Sequence, residues 1–295
     1  MFQHTKAVFF YCISPVHMGS GQALGLIDNP IQREVHTGWP IFAGSGIKGA
    51  VRHRLRALQW TPDNLNEYFG PESSGDAGHA GAVSFTDAQL LAFPVRSLKR
   101  GYVYATCPTA LARAGRILDI AGDKPTWTIS DIGEGAAFIG HDELKQGAEI
   151  ILEALAFSAT TLPQVGEIGA WLAERALPED QTYFREKLAR DLVILSDTDF
   201  THFARNSTLV EPHVRIDPNT GTADGGGLFY TENLPPEALL IGAVMTSPTR
   251  NGNNTPANIV MQKITDSLTA LPNPLQIGGD ATTGRGLVQL NVVGG

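Results

Sequence analysis

Cysteine is scarce in this sequence: Cys12 and Cys107 are the only two among 295 residues. Two cysteines make neither a disulfide framework nor a cysteine-rich metal cluster, so we expect a reducing compartment, the cytoplasm. Long apolar runs are also lacking, since none approaches the roughly 18 to 20 residues that span a bilayer. The apolar start has only Lys6 ahead of its apolar run and no small-residue cleavage site, which predicts a first strand rather than a signal peptide and no membrane partner.

Several common catalytic motifs are missing as well. The sequence contains no H-E-x-x-H, no pair of C-x-x-C motifs, no G-x-S-x-G and no G-x-x-x-x-G-K-[ST]. These absences exclude the zinc-protease, cysteine-metal, nucleophile-elbow and P-loop sites that such motifs build. The aromatic RNA-binding run K/R-G-F/Y-G/A-F-V-x-F/Y is absent too, so any binding of nucleic acid must use other groups.

Positive charge is in deficit overall, with 22 Lys and Arg against 30 Asp and Glu and a net charge of −8. The deficit is uneven: residues 1–118 hold 11 cations and 7 acids, whereas residues 119–200 hold 6 and 16. Residues 88–118 contain five cations and no acid. A basic face on an acidic protein is compatible with local binding of phosphates, although ordinary solvated surface arginines explain the same charges.

Glycine, by contrast, is abundant and concentrated in motifs. The stretch FAGSGIKGAVRHRLR, residues 42–56, places Gly44, Gly46 and Gly49 in the spacing G-x-G-x-x-G. We predict a glycine turn here, followed by a helix from about Ile47 to Trp60. Within the wider sequence, aromatic and β-branched strand segments alternate with helical segments, which indicates a mixed α+β chain with an antiparallel bias.

Cations follow these glycines directly. Lys48 and Arg52 are four residues apart and share one face of the predicted helix, which Arg56 continues while Arg54 points elsewhere. Backbone N–H groups at a helix N-terminus favour anions, so the stretch predicts phosphate binding. A second glycine-rich stretch, GGDATTGRG at residues 278–286, carries Arg285 and adds to a surface suited to a phosphate backbone.

The phosphate has two possible sources. A dinucleotide site needs an acid about 20 residues after the glycines and a second parallel strand; Glu67 lies near that distance, but no clean second strand follows. The number of cations favours a polynucleotide backbone instead. A tight turn with a solvated helix, and no ligand, remains a third explanation.

Asp28 stands out in a further glycine-containing segment, HMGSGQALGLIDNPIQRE, which begins at His17. It follows an apolar pair and precedes Asn-Pro, so a sharp turn is expected. A carboxylate in such a loop can bind a divalent cation, Mg or Mn, or can cap the turn, and chemistry alone favours the cap.

Four stretches together resemble the RAMP superfamily of CRISPR proteins, and in particular the backbone-subunit family of type III-B (Cmr) effector complexes, the fourth Cmr subunit. They are residues 16–52, GAVSFTDAQLLAFPVRSL, LFYTENLP and QIGGDATTGRG. The resemblance implies a single RAMP domain over 1–295 with an RRM-like (ferredoxin-like) palm built from the N- and C-terminal parts. It also implies insertions at about 62–82 and 119–190, forming a helical or finger segment, and a thumb β-hairpin at about 201–227.

The resemblance also implies a function. Family members bind guide RNA, stack as copies of themselves in a filament with other Cmr subunits, and cut complementary target RNA. The guide-gripping positions correspond to Ser45, Lys48 and Arg52, and the cutting aspartate corresponds to Asp28, with His17 in the same loop. Where the family often has two successive acids, this chain has Thr231 and Glu232, which makes Glu232 a weaker catalytic candidate.

We therefore predict a divalent-metal-dependent endoribonuclease, in which the 2′-hydroxyl attacks the adjacent phosphate in line and a cation near Asp28 stabilises the charge that develops. A scaffold that binds guide RNA without cutting, a ribonuclease that processes guide RNA and a dinucleotide-dependent oxidoreductase are the alternatives.

Overall fold

The computed structural model describes residues 2–23, 25–72, 78–128, 130–269 and 274–295. Its strands are β1 His4–Cys12, β2 Ile41–Phe42, β3 Val83–Phe85, β4 Ala88–Ser97, β5 Gly101–Thr106, β6 Ala136–Ile139, β7 Glu149–Leu152, β8 Leu155–Thr161, β9 Leu192–Leu195, β10 Leu209–Ile216, β11 Ala223–Asn233, β12 Leu239–Thr246, β13 Leu275–Gln276 and β14 Leu287–Val293. Its α-helices are α1 Gly44–Ala57, α2 Pro62–Phe69, α3 Pro108–Ile120, α4 Pro163–Ala176, α5 Thr182–Arg190, α6 Asp197–Asn206 and α7 Ala257–Thr269. The predicted α+β class is confirmed.

The first strand lies inside an antiparallel sheet that joins both ends of the chain. β1 pairs with β12 on one side and with β14 on the other, so that Phe9 faces Ile241 and Asn291. β12 in turn pairs with β4, also antiparallel, giving the local order β14-β1-β12-β4. A dinucleotide fold would need parallel strands around the glycine motif, and this antiparallel order disfavours that alternative.

Both faces of this sheet are covered, which explains why β1 is apolar along most of its length. Alternate residues of a strand point to opposite faces. Val8 and Phe10 belong to the core that contains α1 and α7, whereas Phe9 and Tyr11 belong to the core that contains α3 and α4. Burial of an apolar side chain contributes about 2 kcal/mol, so the two cores stabilise the sheet from both sides.

Residues 119–190 contain both helices and strands. The segment contributes β6, β7 and β8 as well as α4 and α5. Together with β5 and β9, its strands extend the sheet in the order β4-β5-β9-β6-β8-β7. β7 also returns to β4, where Ser97 faces Leu152. The alternation of apolar and polar residues in short runs favours half-buried strands over helices here. In the other predicted insertion, α2 covers Pro62–Phe69, while residues 73–77 lie outside the described ranges.

The protruding hairpin is formed by β10 and β11, residues 209–233, and not by residues 201–227. Residues 201–206 instead complete α6, which begins after the capping residue Ser196 and buries Phe200 and Phe203. Phe200 and Phe203 are three residues apart, so both lie on the face of the helix that packs against the core. The predicted start of the hairpin, residue 201, was therefore too early. The hairpin register pairs Pro212 with Tyr230 and shifts at a bulge between Val214 and Ile216. Among the described residues, no helix is long and apolar enough to cross a membrane.

Candidate functional site

The loop that carries Asp28 lies along the base of the hairpin. The Asp28 carboxylate accepts the Tyr230 backbone N–H through Oδ2 at 2.7 Å. The next residue continues the contact, because Asn29 N–H donates to Tyr230 O at 3.0 Å and the Glu232 N–H donates to Asn29 O at 3.0 Å. The side chain therefore bonds to the hairpin. The capping of its own turn, which chemistry alone favoured, is not the hydrogen bond that the carboxylate makes.

Asp28 lines an open cleft of about 700 Å³ between this loop and the hairpin. The described residues that line it are Gln22, Ala23, Asp28, Asn29, Arg215, Gly227, Leu228 and Phe229. Its charged lining residues are thus Asp28 and Arg215, which lie 187 positions apart in sequence. Sequence reasoning missed Arg215; its position in the run EPHVRID, between strand-forming and turn-forming residues, was the available signal.

A divalent cation would find a sparse ligand set in this cleft. Among the residues that the structure describes, no three His, Cys, Asp or Glu side chains form a metal-holding group. Asp28 supplies the carboxylate in the cleft lining. That suits Mg²⁺, which commonly takes one or two protein carboxylates and fills its remaining positions with substrate phosphates and water.

His17 lies where the Asp28 segment, the hairpin and the C-terminal glycine turn meet. Its Nδ1–H donates to the Glu232 carbonyl oxygen at 2.7 Å, which in the neutral ring leaves the lone pair on Nε2. Its own carbonyl accepts the Gly279 N–H at 2.8 Å. Gly278 has φ +83°, and a Cβ there would lie 2.3 Å from His17 O, so this position requires glycine. The glycine-rich turn therefore supports His17.

Glu232 is buried, with 3% of its surface exposed. Its carboxylate accepts Ile31 N–H at 3.0 Å and Thr208 Oγ1–H at 2.7 Å, and it forms a salt bridge with Arg33. It is not among the described residues that line the cleft. These contacts make Glu232 a residue that fixes the segment following Asp28, and its carboxylate already has protein partners.

The glycines of the first motif lie within a helix rather than in a turn before it. α1 begins at Gly44, whose N–H donates to Asp87 Oδ1 at 2.8 Å. A Cβ at Gly44 would lie 2.4 Å from the Phe85 carbonyl oxygen, and one at Gly46 would lie 3.1 Å from the Met18 sulfur. Close packing against neighbouring chain segments, not a turn, explains Gly44 and Gly46, whereas a Cβ at Gly49 would meet no atom within 4 Å.

The start of α1 exposes two of the predicted phosphate-binding residues. The Ser45 side chain is exposed. Lys48 is half-buried, and burial, with a smaller contribution from the nearby Arg52 charge, lowers its pKa below the usual range. Within the described ranges its ammonium has no hydrogen-bond or salt-bridge partner. A helix N-terminus beside an unpaired cation is a favourable place for an anion.

The predicted arginines, in contrast, already have protein partners. The Arg52 guanidinium donates to Gly70 O and to Asn66 Oδ1, the latter at 2.8 Å, and so ties α1 to the end of α2. Arg56 forms a salt bridge with Glu72. Arg285 forms one with Glu211 of β10 at 2.8 Å, which fastens the second glycine turn to the hairpin.

Comparison with known proteins adds to this geometry. The family model described as the RAMP superfamily matches residues 9–289. The protein CRISPR system Cmr endoribonuclease Cmr4 of Pyrococcus furiosus is 34% identical over 292 residues, which cover 97% of this chain and 94% of that protein.

Solved structures agree with the sequence match. The crystal structure of oligomeric Cmr4 from Pyrococcus furiosus has a TM-score of 0.76 and 27% identity, and the alignment covers 99% of both chains. A cryo-EM structure of a type III-B Cmr-beta complex bound to cognate target RNA contains a chain with a TM-score of 0.73 and 21% identity, covering 99% of this chain and 98% of that one. The fold is shared with both.

Proposed function

This chain belongs to the RAMP superfamily, and from that premise we propose that it is the backbone subunit of a type III-B (Cmr) CRISPR ribonucleoprotein that binds guide RNA and cleaves complementary target RNA. The observation that carries the proposal is the Asp28 carboxylate, bonded to the hairpin and facing a 700 Å³ cleft. The Pyrococcus furiosus relative, named as an endoribonuclease, is similar over nearly the whole chain, including the segments on both sides of that cleft.

The antiparallel strands supply the proposed palm. Their order β14-β1-β12-β4, with α1 following β1 and α7 following β12, is a βαββαβ arrangement with both helices on one face. This arrangement supports an RRM-like, ferredoxin-like palm formed from the two ends of the chain. In this proposal the hairpin of residues 209–233 is the thumb.

The start of α1 is the proposed contact for the guide backbone. Ser45 offers an exposed hydroxyl, and Lys48 offers an ammonium that has no partner in the described part of the chain. Both lie in the first turns of a helix whose N-terminus attracts phosphate. Arg52 and Arg56 support this contact indirectly. Their bonds to Gly70, Asn66 and Glu72 hold α1 against α2 and the residues that follow it closely. Sequence choice then comes from pairing between guide and target, while the protein contacts the backbone.

Target cleavage requires the 2′-hydroxyl to lie in line with the bond that breaks, which a stacked A-form duplex does not allow. The hairpin exposes apolar side chains, with Val214 46% and Leu228 55% accessible, and these can displace bases from the stack. Tyr230 N–H orients Asp28 through Oδ2, so that Oδ1 can accept the proton of the 2′-hydroxyl. A divalent cation, Mg or Mn, bound by Asp28 and the phosphate would add positive charge as the phosphate becomes more negative.

The proposed partners are guide RNA, complementary target RNA, further copies of this chain and the other subunits of a Cmr complex. A head-to-tail contact between identical chains generates an open filament when its rotation does not close a ring. The Pyrococcus furiosus Cmr4 crystal structure is of an oligomer, which supports such self-association.

The test is a reconstituted complex with one guide and an end-labelled complementary RNA. A backbone of repeated cutting subunits predicts a ladder of products at regular intervals in the presence of Mg²⁺ or Mn²⁺. Target that is bound but stays whole would instead support the non-cutting scaffold, and a single cut would contradict repeated active subunits.

A further inference from the structure

The Arg215 side chain is the cation of the Asp28 cleft lining, and it differs from nearby arginines in having no partner among the residues that the structure describes. Arg33 is bound by Glu232, Arg285 by Glu211, and Arg205 Nε donates to Thr37 O. Among the described residues, none accepts a hydrogen bond from Arg215 or forms a salt bridge with it, and its side chain is exposed. An uncompensated guanidinium therefore lines the same cleft as the Asp28 carboxylate.

The hairpin backbone is irregular at this residue. Val214 pairs with Leu228 and Ile216 pairs with Ala223, so one residue of β10, Arg215, stands opposite four residues of β11, 224–227, and the regular pairing is interrupted there. β-Bulges change the direction of a side chain and are over-represented beside active sites. The additional residues are on β11, and Arg215 lines the cleft at this interruption together with Gly227 and Phe229.

We propose that Arg215 contacts the phosphate that is cut in the target RNA and is a second catalytic residue of this cleft; the inference rests on the proposed function. In the reaction the bond from O2′ to phosphorus forms and the bond from phosphorus to O5′ breaks. The 2′-hydroxyl gives its proton to Asp28, and the departing O5′ takes one from water, leaving a 2′,3′-cyclic phosphate and a 5′-hydroxyl. Negative charge grows on the non-bridging oxygens, and the planar Arg215 guanidinium can donate two hydrogen bonds to them.

The experiment compares Arg215→Ala, Arg215→Lys and wild-type chains in the assembled complex, with saturating target RNA and single-turnover kinetics. We expect Arg215→Ala to cut about 100-fold more slowly, the typical loss when one donor to a developing oxyanion is removed. Arg215→Lys should recover part of the rate, because it keeps the charge but not the paired donors. Target affinity should fall by less than about 10-fold, since one phosphate contact among many is lost.

A sulfur substitution in the RNA separates contact with the phosphate from a structural role. With sulfur at either non-bridging oxygen of the cut linkage, the wild type should be slowed unequally by the two isomers. Arg215→Ala should show a smaller difference than the wild type, because one of the two groups proposed to contact these oxygens, Arg215 beside the cation at Asp28, is gone. Arg116→Ala is the matched control: it removes an exposed cation of α3, on the other face of the sheet, and should leave both rate and isomer preference unchanged.

An unchanged saturating rate in Arg215→Ala, beside a wild type that cuts, would overturn the inference and leave the proposed function standing. A loss confined to target affinity would also overturn it, because Arg215 would then only bind. A wild-type complex that does not cut would overturn the proposed function and this inference together.

Discussion

The Asp28 carboxylate accepts a hydrogen bond from the Tyr230 backbone N–H, 2.7 Å away and 202 residues later in the chain. The loop and the hairpin therefore act as one unit, in which the hairpin strand orients the carboxylate. Glu232, two residues beyond Tyr230, reinforces the unit by binding Ile31 N–H and Arg33 on the other side of Asp28. The position of Asp28 thus depends on hairpin contacts to Asp28 itself and to the residues that follow it.

Removal of the Glu232 carboxylate should impair folding stability and cutting together. Glu232→Ala leaves the Arg33 guanidinium without its carboxylate partner and Ile31 N–H and Thr208 without acceptors. Loss of one partner of a buried ion pair typically lowers the free energy of unfolding by about 3 kcal/mol. Urea denaturation measures this change. Glu186→Ala, which removes an exposed acid of α5, is the control and should change the free energy by less than about 0.5 kcal/mol. Wild-type stability in Glu232→Ala would contradict the assigned role.

The alanine variants of Lys48 and Arg52 should have different defects, one in guide binding and the other in stability. Lys48→Ala should keep wild-type stability, weaken guide binding and reduce the slope of log affinity against log salt by about 0.7, the value for one lost contact with single-stranded RNA. Arg52→Ala should lower the melting temperature, because the contacts with Gly70 and Asn66 join α1 to α2. Salt-titrated guide binding and thermal unfolding distinguish the two. A Lys48→Ala chain with an unchanged salt slope would remove Lys48 from the guide contact.

Glu237 should make stability depend on pH. Burial raises the pKa of its carboxyl to about 7, from 4.5, and Tyr11 donates a hydrogen bond to it. The folded state thus holds the proton more tightly than the unfolded state, so this contribution is complete below about pH 4.5 and is lost as pH rises through 7. Between those values the loss should be about 1 kcal/mol, since partial exposure to solvent screens the charge.

Glu237→Gln, which cannot ionise, tests this assignment. Its stability relative to wild type should rise between pH 5 and pH 8, as measured by urea unfolding at each pH. A stability difference that stays constant across this range would show that the Glu237 carboxyl does not titrate there.

The sequence predicted the parts of the fold that local pattern controls. The apolar run at residues 6–14 predicted the first strand, and the strands at both ends of the chain form one sheet. The glycine motif was misread because G-x-G-x-x-G looks the same whether glycine permits a turn or permits close packing. At Gly44 the reason is the Phe85 carbonyl oxygen, a contact 41 residues away that spacing does not reveal.

The site was predictable only where a resemblance marked the residues. Asp28 and His17 were found in this way, and the structure brings both to the hairpin base. The hydrogen bond from Arg52 to Gly70 and the register shift beside Arg215 depend on which segments pair in the folded chain, so they were not visible in the sequence.

The most direct test of the central claim is Asp28→Asn in every copy of the assembled complex, with end-labelled target RNA. The amide keeps the shape of the side chain and an acceptor for Tyr230 N–H, but it cannot take a proton or hold a cation as a carboxylate does. We predict that guide and target binding stay at wild-type levels while the ladder of cut products disappears. A ladder that persists at the wild-type rate in Asp28→Asn would contradict the account.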